Sequence, residues 1–174
     1  MDDSEKIDIR VLTKSQLREL FANKGLLRYK ADQVYNWIWK KGIHSFDLMT
    51  NISKELRSFL ELNFEINRVK FDISQKSIDG TIKNSVRLND NNLVEAVLIP
   101  TKNRKTACIS SQVGCSLDCE FCATSKMKKI RNLKKEEIFD QVFLMNKQSL
   151  NIYNKPLTNI VFMGMGEPLL NYNN

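Results

Sequence analysis

Cysteine is absent from the chain except in one stretch of fifteen residues that holds Cys108, Cys115, Cys119 and Cys122. A disulfide framework spreads its cysteines and belongs to oxidising compartments, so this clustering leaves metal ligation or thiol chemistry in a reducing one. Histidine is nearly absent, and the single His44 lies in a connection where sequence gives it no catalytic role. No run approaches the ~20 apolar residues of a membrane span, and Met1-Asp2-Asp3-Ser4-Glu5-Lys6 lacks the basic-then-apolar order of a secretory signal. The expectation is a cytoplasmic protein away from the membrane. Internal repeats and low-complexity tracts are missing as well.

What is present suffices for a packed core. The 174 residues are 42% hydrophobic and 27% charged, which excludes a mainly disordered chain and fits one domain, or one core with a small appendage. A net charge of +7 biases the surface toward polyanions such as RNA, DNA or anionic lipid, a bias shared by many proteins that are simply basic.

The first sixty residues read as short helices. Thr13-Lys14-Ser15-Gln16 has capping-box spacing ahead of Leu17, Leu20 and Phe21, with Gly25 as the stop. A second helix is predicted over Tyr29 to Lys40, with Val34, Trp37 and Ile38 as its apolar stripe and Gly42 after it. A third is predicted over Ser53 to Leu62, with Leu56, Phe59 and Leu60 inward. Trp37 and Trp39 read as core side chains rather than stacking platforms for nucleic-acid bases.

From Val69 to Ile109 the period changes to two. Val69-Phe71-Ile73, Ile82, Val86-Leu88 and Val94-Ala96-Leu98 alternate with polar residues, and Asp79-Gly80 and Asn89-Asp90-Asn91-Asn92 mark turns, which predicts a small antiparallel sheet. Glu95 falls on the face opposite Val94 and Ala96, so by pattern alone it is an exposed strand residue. A short strand over Thr106 to Ser110 follows, then the cysteine loop. Leu133 to Gln148 reads as a helix with Ile138, Val142 and Met145 on one face, flanked by Phe139 and Phe143. Leu157 to Met163 is near-continuously apolar, as a buried parallel strand would be, and completes one βαβ unit.

Cys115-Ser116-Leu117-Asp118-Cys119-Glu120-Phe121-Cys122 has C-x3-C-x2-C spacing. Three thiolates on one tight loop can take three corners of a four-iron, four-sulfur cluster, leaving one iron open to a small molecule. That iron could hold the amino and carboxylate groups of S-adenosylmethionine (SAM) and pass an electron to its sulfonium, giving a 5′-deoxyadenosyl radical. Two other readings stay open: a zinc site completed by Cys108, within a non-enzymatic RNA-binding module, and a thiol redox switch. The second element is Phe162-Met163-Gly164-Met165-Gly166-Glu167-Pro168. Its glycines would let a ligand approach the backbone, and Glu167 can accept hydrogen bonds from an ammonium or a ribose hydroxyl. Both motifs leave the carboxyl ends of strands in the same βαβ unit, where α/β folds bind ligands. Between them Lys126, Lys128, Lys129, Arg131, Lys134 and Lys135 lie in the acid-free run 123–135, a solvated face or a contact for RNA phosphates.

Ser110-Ser111-Gln112-Val113-Gly114-Cys115 running into Cys119 and Cys122, together with Met163-Gly164-Met165-Gly166-Glu167-Pro168, resembles the radical SAM superfamily, and within it the RlmN/Cfr family of RNA (adenine) methyltransferases. Gln33 to Ile38 and Phe46 to Lys54 are similar to the same family, so the resemblance covers essentially the whole chain. Pro168 points to the branch that methylates adenine C2, in 23S rRNA and certain tRNAs, rather than the C8 branch, which typically has Ala there.

The resemblance implies that Cys115, Cys119 and Cys122 ligate the cluster, that Phe121 packs beside the SAM adenine, and that Gly166 and Glu167 contact SAM. It also implies that Glu95 is a proton acceptor, and that Cys108 forms a transient disulfide with a methyl-carrying cysteine to release product. Adenine C2 is not nucleophilic, which is why such a family methylates a cysteine first and adds that methyl to the ring as a radical. Expected partners are 23S rRNA and tRNA with an accessible adenine and an electron donor such as flavodoxin, the chain itself being a monomer. The implied fold is α/β: a helical RNA-binding accessory domain over 1–66, a β linker over 67–100, and over 101–174 the start of a radical SAM partial (β/α)6 barrel, truncated after its first βαβ unit. No cysteine follows Cys122. The expectation is therefore a fragment that corresponds to the N-terminal half of the family and cannot methylate RNA alone.

Overall fold

The computed structural model describes residues 6–174; Met1 to Glu5, and with them most of the stretch read above for a secretory signal, lie outside the described residues. The chain divides into two compact units, one ending at Asn67 and one running from Arg68 to Asn174.

The first unit is helical. Helices α1 (Lys14–Asn23), α2 (Arg28–Trp39) and α3 (Lys54–Asn63) are bracketed by strands β1 (Ile7–Asp8) and β2 (Phe64–Glu65), which pair in parallel. Leu17, Phe21, Val34, Ile38, Leu56 and Leu60 form the buried core, with Trp37, Trp39 and Phe59 packed partly buried against it. The stripes read from the sequence thus face inward, and each helix sits within a residue or two of its expected bounds. Arg10 is buried and paired with Asp8, which also accepts the Asn67 N–H at 3.0 Å, so one carboxylate ties the two ends of this unit together.

The expected capping box opens α1: the Gln16 N–H donates to Thr13 Oγ1 at 3.2 Å, and the Thr13 N–H to Gln16 Oε1 at 2.8 Å. Thr13→Ala should cost this unit about 1 kcal/mol. Urea unfolding followed by tryptophan fluorescence measures it, since both tryptophans lie here; an unchanged midpoint would count against the cap.

The second unit is a five-stranded sheet in the order β3 (Lys70–Lys76), β4 (Ile82–Arg87), β5 (Leu93–Pro100), β6 (Lys105–Cys108), β9 (Asn159–Val161). The first four strands form an antiparallel meander. Helix α4 (Lys135–Tyr153) carries the chain back so that β9 lies parallel to β6, giving the expected βαβ unit. A two-stranded ladder of β7 (Gln112–Val113) and β8 (Arg131–Asn132) interrupts the path from β6 to α4. Ile82, Val86, Val94, Ala96, Leu98, Ala107 and Ile109 pack with Met145 of α4, as the alternation predicted. On that same face the Asn84 and Gln148 side chains exchange two 2.9 Å hydrogen bonds.

Three expectations need correction. Ile73 does not face the core: a bulge at Asp72 breaks the register, so Phe71 pairs with Val86 but Ile73 with Ser85, and Ile73 turns to the opposite face. The segment 157–163 is not a buried strand. Only Asn159–Val161 is paired, on one side alone, and Ile160, Phe162 and Met163 are exposed at the sheet edge. Residue 100 is no boundary either, because Pro100 pairs with Lys105 inside the β5–β6 hairpin and residues 68–174 form one compact unit. Among the described residues no helix is long and apolar enough to cross a membrane.

Candidate functional site

The cysteine loop grows out of the β7–β8 ladder as from a stem. Ile130 donates to the Val113 carbonyl at 2.8 Å, and Cys115 donates to Met127 at 3.4 Å. Gly114 sits at the neck with φ +74°, and a Cβ there would lie 2.3 Å from the Lys128 carbonyl oxygen. Inside the loop the Ser125 hydroxyl proton is shared between the carbonyls of Cys119 (2.8 Å) and Cys122 (2.6 Å), which draws these two parts of the loop together. Cys115, Cys119 and Cys122 are half-buried free thiols, while Phe121 projects into solvent. The backbone N–H groups of Ser125 and Thr124 favour the thiolate of Cys122 and pull its pKa down. The Leu117 N–H points at Cys115 Sγ from 3.4 Å.

Among the described residues no three Cys, His, Asp or Glu side chains converge as a metal site. The donor set nevertheless suits an iron–sulfur cluster: three thiols on one loop, with backbone N–H groups aimed at sulfur that tune such clusters. Holding one would require the loop to draw its sulfurs together around it.

The Gly-Met-Gly-Glu-Pro turn lies against that stem. The Met165 carbonyl accepts the N–H groups of Ser111 (2.9 Å) and Gln112 (3.2 Å), and Gly164 donates to the Ile109 carbonyl (3.0 Å). Gln112 Oε1 accepts the Glu167 N–H at 3.0 Å, while its Nε2 donates to Asn132 Oδ1 at 2.9 Å. Asn171 is buried and donates to the Ser111 and Leu133 carbonyls. The two motifs that sequence analysis placed at the ends of separate strands are thus bound into one structure.

A Cβ at Gly164 would meet the Ile109 carbonyl and Ser110 Oγ at 2.7 Å, and one at Gly166 would meet Gln112 Cβ at 2.4 Å. On the side where a Cβ would stand, what lies close to these glycines is the chain's own segment 109–112. Glu167 Oε1 accepts the Leu169 N–H at 3.0 Å, so the carboxylate also caps the turn that follows it.

Glu95 and Cys108 share a sheet face. Val97 pairs with Cys108 and lies two residues from Glu95, which puts both on the side away from α4, together with Lys83. Glu95 is half-exposed there, as its pattern predicted, and its carboxylate meets Lys83 Nζ at 2.6 Å. Cys108 is buried at the end of β6, and that burial raises its thiol pKa despite a backbone hydrogen bond from Met163.

The basic run is not uniform. Lys126, Lys128 and Lys134 are exposed, but Arg131 is spent inside the protein, paired with Asp90 at 2.7 Å and with both oxygens of Glu137 at 2.8 Å. The expectation that Arg131 contacts RNA phosphate is therefore withdrawn.

The comparisons fit this architecture. Residues 7–66 match the family model described as the ribosomal RNA large subunit methyltransferase N-terminal domain. A probable dual-specificity RNA methyltransferase RlmN from Flavobacterium johnsoniae is 58% identical over 170 residues, covering 98% of this chain and 49% of that protein. The chain belongs to the RlmN family. The dual-specificity RNA methyltransferase RlmN of Geotalea uraniireducens is 44% identical over 98% of the chain and 48% of its own length. A crystal structure of a radical SAM methyltransferase from Sphaerobacter thermophilus superposes with a TM-score of 0.82 at 36% identity, covering 96% of this chain and 49% of that one. The chain thus spans about half the length of these RlmN-family relatives.

Sequence reasoning gave no role to Ser110, Gln112, Asn132, Gln141 or Asn171, the buried or half-buried polar residues that join stem and turn. Only Ser110 and Gln112 carried a signal, as polar residues directly after an apolar strand; Asn171 and Gln141 carried none.

Proposed function

We propose that this chain provides the cluster-holding and RNA-docking portion of a radical SAM RNA methyltransferase acting on adenine C2 of 23S rRNA and tRNA through a methyl-cysteine intermediate. The observation that carries the reading is the hydrogen-bonded union of the cysteine-loop stem with the Gly-Met-Gly-Glu-Pro turn at one end of the βαβ unit.

In this reading Cys115, Cys119 and Cys122 hold a 4Fe-4S cluster, whose contribution when bound is an electron for the sulfonium of SAM. Phe121, exposed on the loop, is free to lie against the SAM adenine, and Gly166 and Glu167 line the same region. Glu95 acts as proton acceptor on the open sheet face, beside Lys83. Cys108, on that face, forms the transient disulfide with a methyl-carrying cysteine, as the bond from that cysteine's methyl-derived carbon to its sulfur breaks and the product is released. The sequence has no cysteine after Cys122, so the methyl-carrying role is assigned to no residue here. The helical unit and the exposed Lys126 and Lys128 contribute RNA contacts, largely electrostatic and therefore salt-sensitive. A flavodoxin-like donor supplies electrons to a monomeric cytoplasmic protein.

The test is anaerobic reconstitution with iron and sulfide, electron paramagnetic resonance of the reduced chain with and without SAM, and zinc analysis of the same sample. A cluster signal that shifts with SAM and vanishes in Cys119→Ala is the expected result. Stoichiometric zinc with no such signal would replace this reading with a zinc-stabilised RNA-binding module.

A further inference from the structure

Arg131 is a member of the basic run whose side chain the structure ties to two other elements. It sits on β8, in the stem of the cysteine loop. Its Nε donates to Asp90 Oδ2 at 2.7 Å, in the turn between β4 and β5. Nη1 and Nη2 each donate to one oxygen of Glu137 at 2.8 Å, in the first turn of α4, and Nη1 also reaches the Asn132 carbonyl at 3.1 Å. Both carboxylates are ordered independently of the arginine. Asp90 accepts from the Asn92 N–H (3.1 Å) and Nδ2 (2.8 Å), and nearly buried Glu137 accepts the Lys134 N–H at 2.9 Å. The guanidinium beside Asp90 holds its carboxyl down at about 2, so the pair stays ionised until pH falls to about 2. One rigid cation therefore bridges two fixed anions, a geometry that bidentate arginine supplies and a lysine ammonium cannot.

We infer that Arg131 is a positioning residue: held between Asp90 and Glu137, it locks the cysteine-loop stem to α4 and to the turn that leads into the Glu95 strand. The inference rests on the reading that this loop holds the cluster. Its consequence is that the loop closes around iron from a fixed base, with Glu95 five residues downstream of the Asp90 that Arg131 pins.

The experiment compares Arg131→Gln, Arg131→Lys and Asp90→Asn with the unaltered chain by amide exchange without metal, then by iron content and paramagnetic resonance after reconstitution. Arg131→Gln should speed exchange of the Ile130 and Cys115 amides by about tenfold, because local opening free energy sets protection, and leave the α4 amides unchanged as evidence of folding. It should also lower iron retention and alter the shift of the cluster signal on adding SAM. Arg131→Lys should recover part of both, and Asp90→Asn should show the milder form of both. Unchanged stem exchange in Arg131→Gln overturns the inference. So does faster exchange with unaltered iron retention and an unaltered cluster signal, which reduces Arg131 to a structural brace. Failure of the unaltered chain to take up a cluster is a different result: it removes the proposed function, while stem exchange still decides whether Arg131 locks the loop.

Discussion

Gly114→Ala should abolish cluster loading while leaving the helical unit untouched. The added methyl would lie 2.3 Å from the Lys128 carbonyl oxygen, 2.8 Å from its carbon and 3.0 Å from Lys129 Cα, all backbone atoms with no rotamer to move. The residue also has φ +74°, where a side chain costs ~1–3 kcal/mol, and steric overpacking adds ~1–3 kcal/mol. The stem has a two-residue ladder, its flanking hydrogen bonds and a few side-chain ties with which to resist, against the long ladders of the five-stranded sheet, so opening it is cheaper than unfolding the sheet. The expected result is loss of exchange protection at Ile130 and Cys115 and of iron uptake, with β4, β5 and the helices protected as before. Gly25→Ala is the control: φ is +68°, but nothing lies within 4 Å of its Cβ, so it carries backbone strain alone, far along the chain from the loop. Full stem protection in Gly114→Ala would show that the neck tolerates a side chain and that the loop is not held there.

The elements easiest to read from the sequence were those in which period and punctuation agree. Thr13 and Gln16 announce a helix start by spacing alone, and Val94, Ala96 and Leu98 alternate without interruption against one helix. Ile73 fails the same rule because one extra residue at Asp72 reverses every later side chain on β3, and a bulge has no signature in hydropathy. Asp72 instead pairs with Arg87 at 2.8 Å, a contact visible only once the strands are in register. The apolar run around Ile160 reads as buried because hydropathy reports what a strand is suited to contact, whereas its exposure depends on having a second neighbour.

The site divides in the same way. Cys115, Cys119 and Cys122 are close in sequence, so spacing alone singles them out, whereas Glu95 and Cys108 are ordinary in their own strands and meet on one face only through the Val97–Cys108 pairing. A glycine declares that something comes close, and the sequence does not show that segment 109–112 fills the Cβ side of Gly164 and Gly166. Arg131 shows the converse. A cation among lysines looks like surface charge until its two carboxylates, 41 positions before it and six after it, are brought beside it.

The buried polar braces were the least visible part, and Gln141 should prove the most costly of them to remove. Its side chain is fully buried on α4; Oε1 accepts the Ser110 N–H at 2.9 Å, and Nε2 donates to the Ser110 carbonyl at 3.1 Å. Ser110 lies beyond the end of β6, so this amide takes the place that a strand neighbour would fill. The Ser110 hydroxyl in turn donates to the Glu95 carbonyl at 2.6 Å and accepts the Met165 N–H at 2.8 Å, joining the Glu95 strand to the Gly-Met-Gly-Glu-Pro turn. Gln141→Leu keeps the volume but leaves a buried N–H and a buried carbonyl without partners, at ~1–3 kcal/mol each. Offset by the added apolar contact, the net loss should be on the order of 3 kcal/mol, a shift of ~1–3 M in the urea midpoint of the second unit for a slope of ~1–3 kcal/mol per M. Both tryptophans lie in the helical unit, so the readout is urea-dependent amide exchange of β5 and β6. The same variant should load less iron than the unaltered chain even where it remains folded, because Ser110 and Met165 fix the turn against the stem. A midpoint unchanged in those strands would mean that water or a backbone shift satisfies Ser110, and that the turn is held by Gln112 and Asn171 instead.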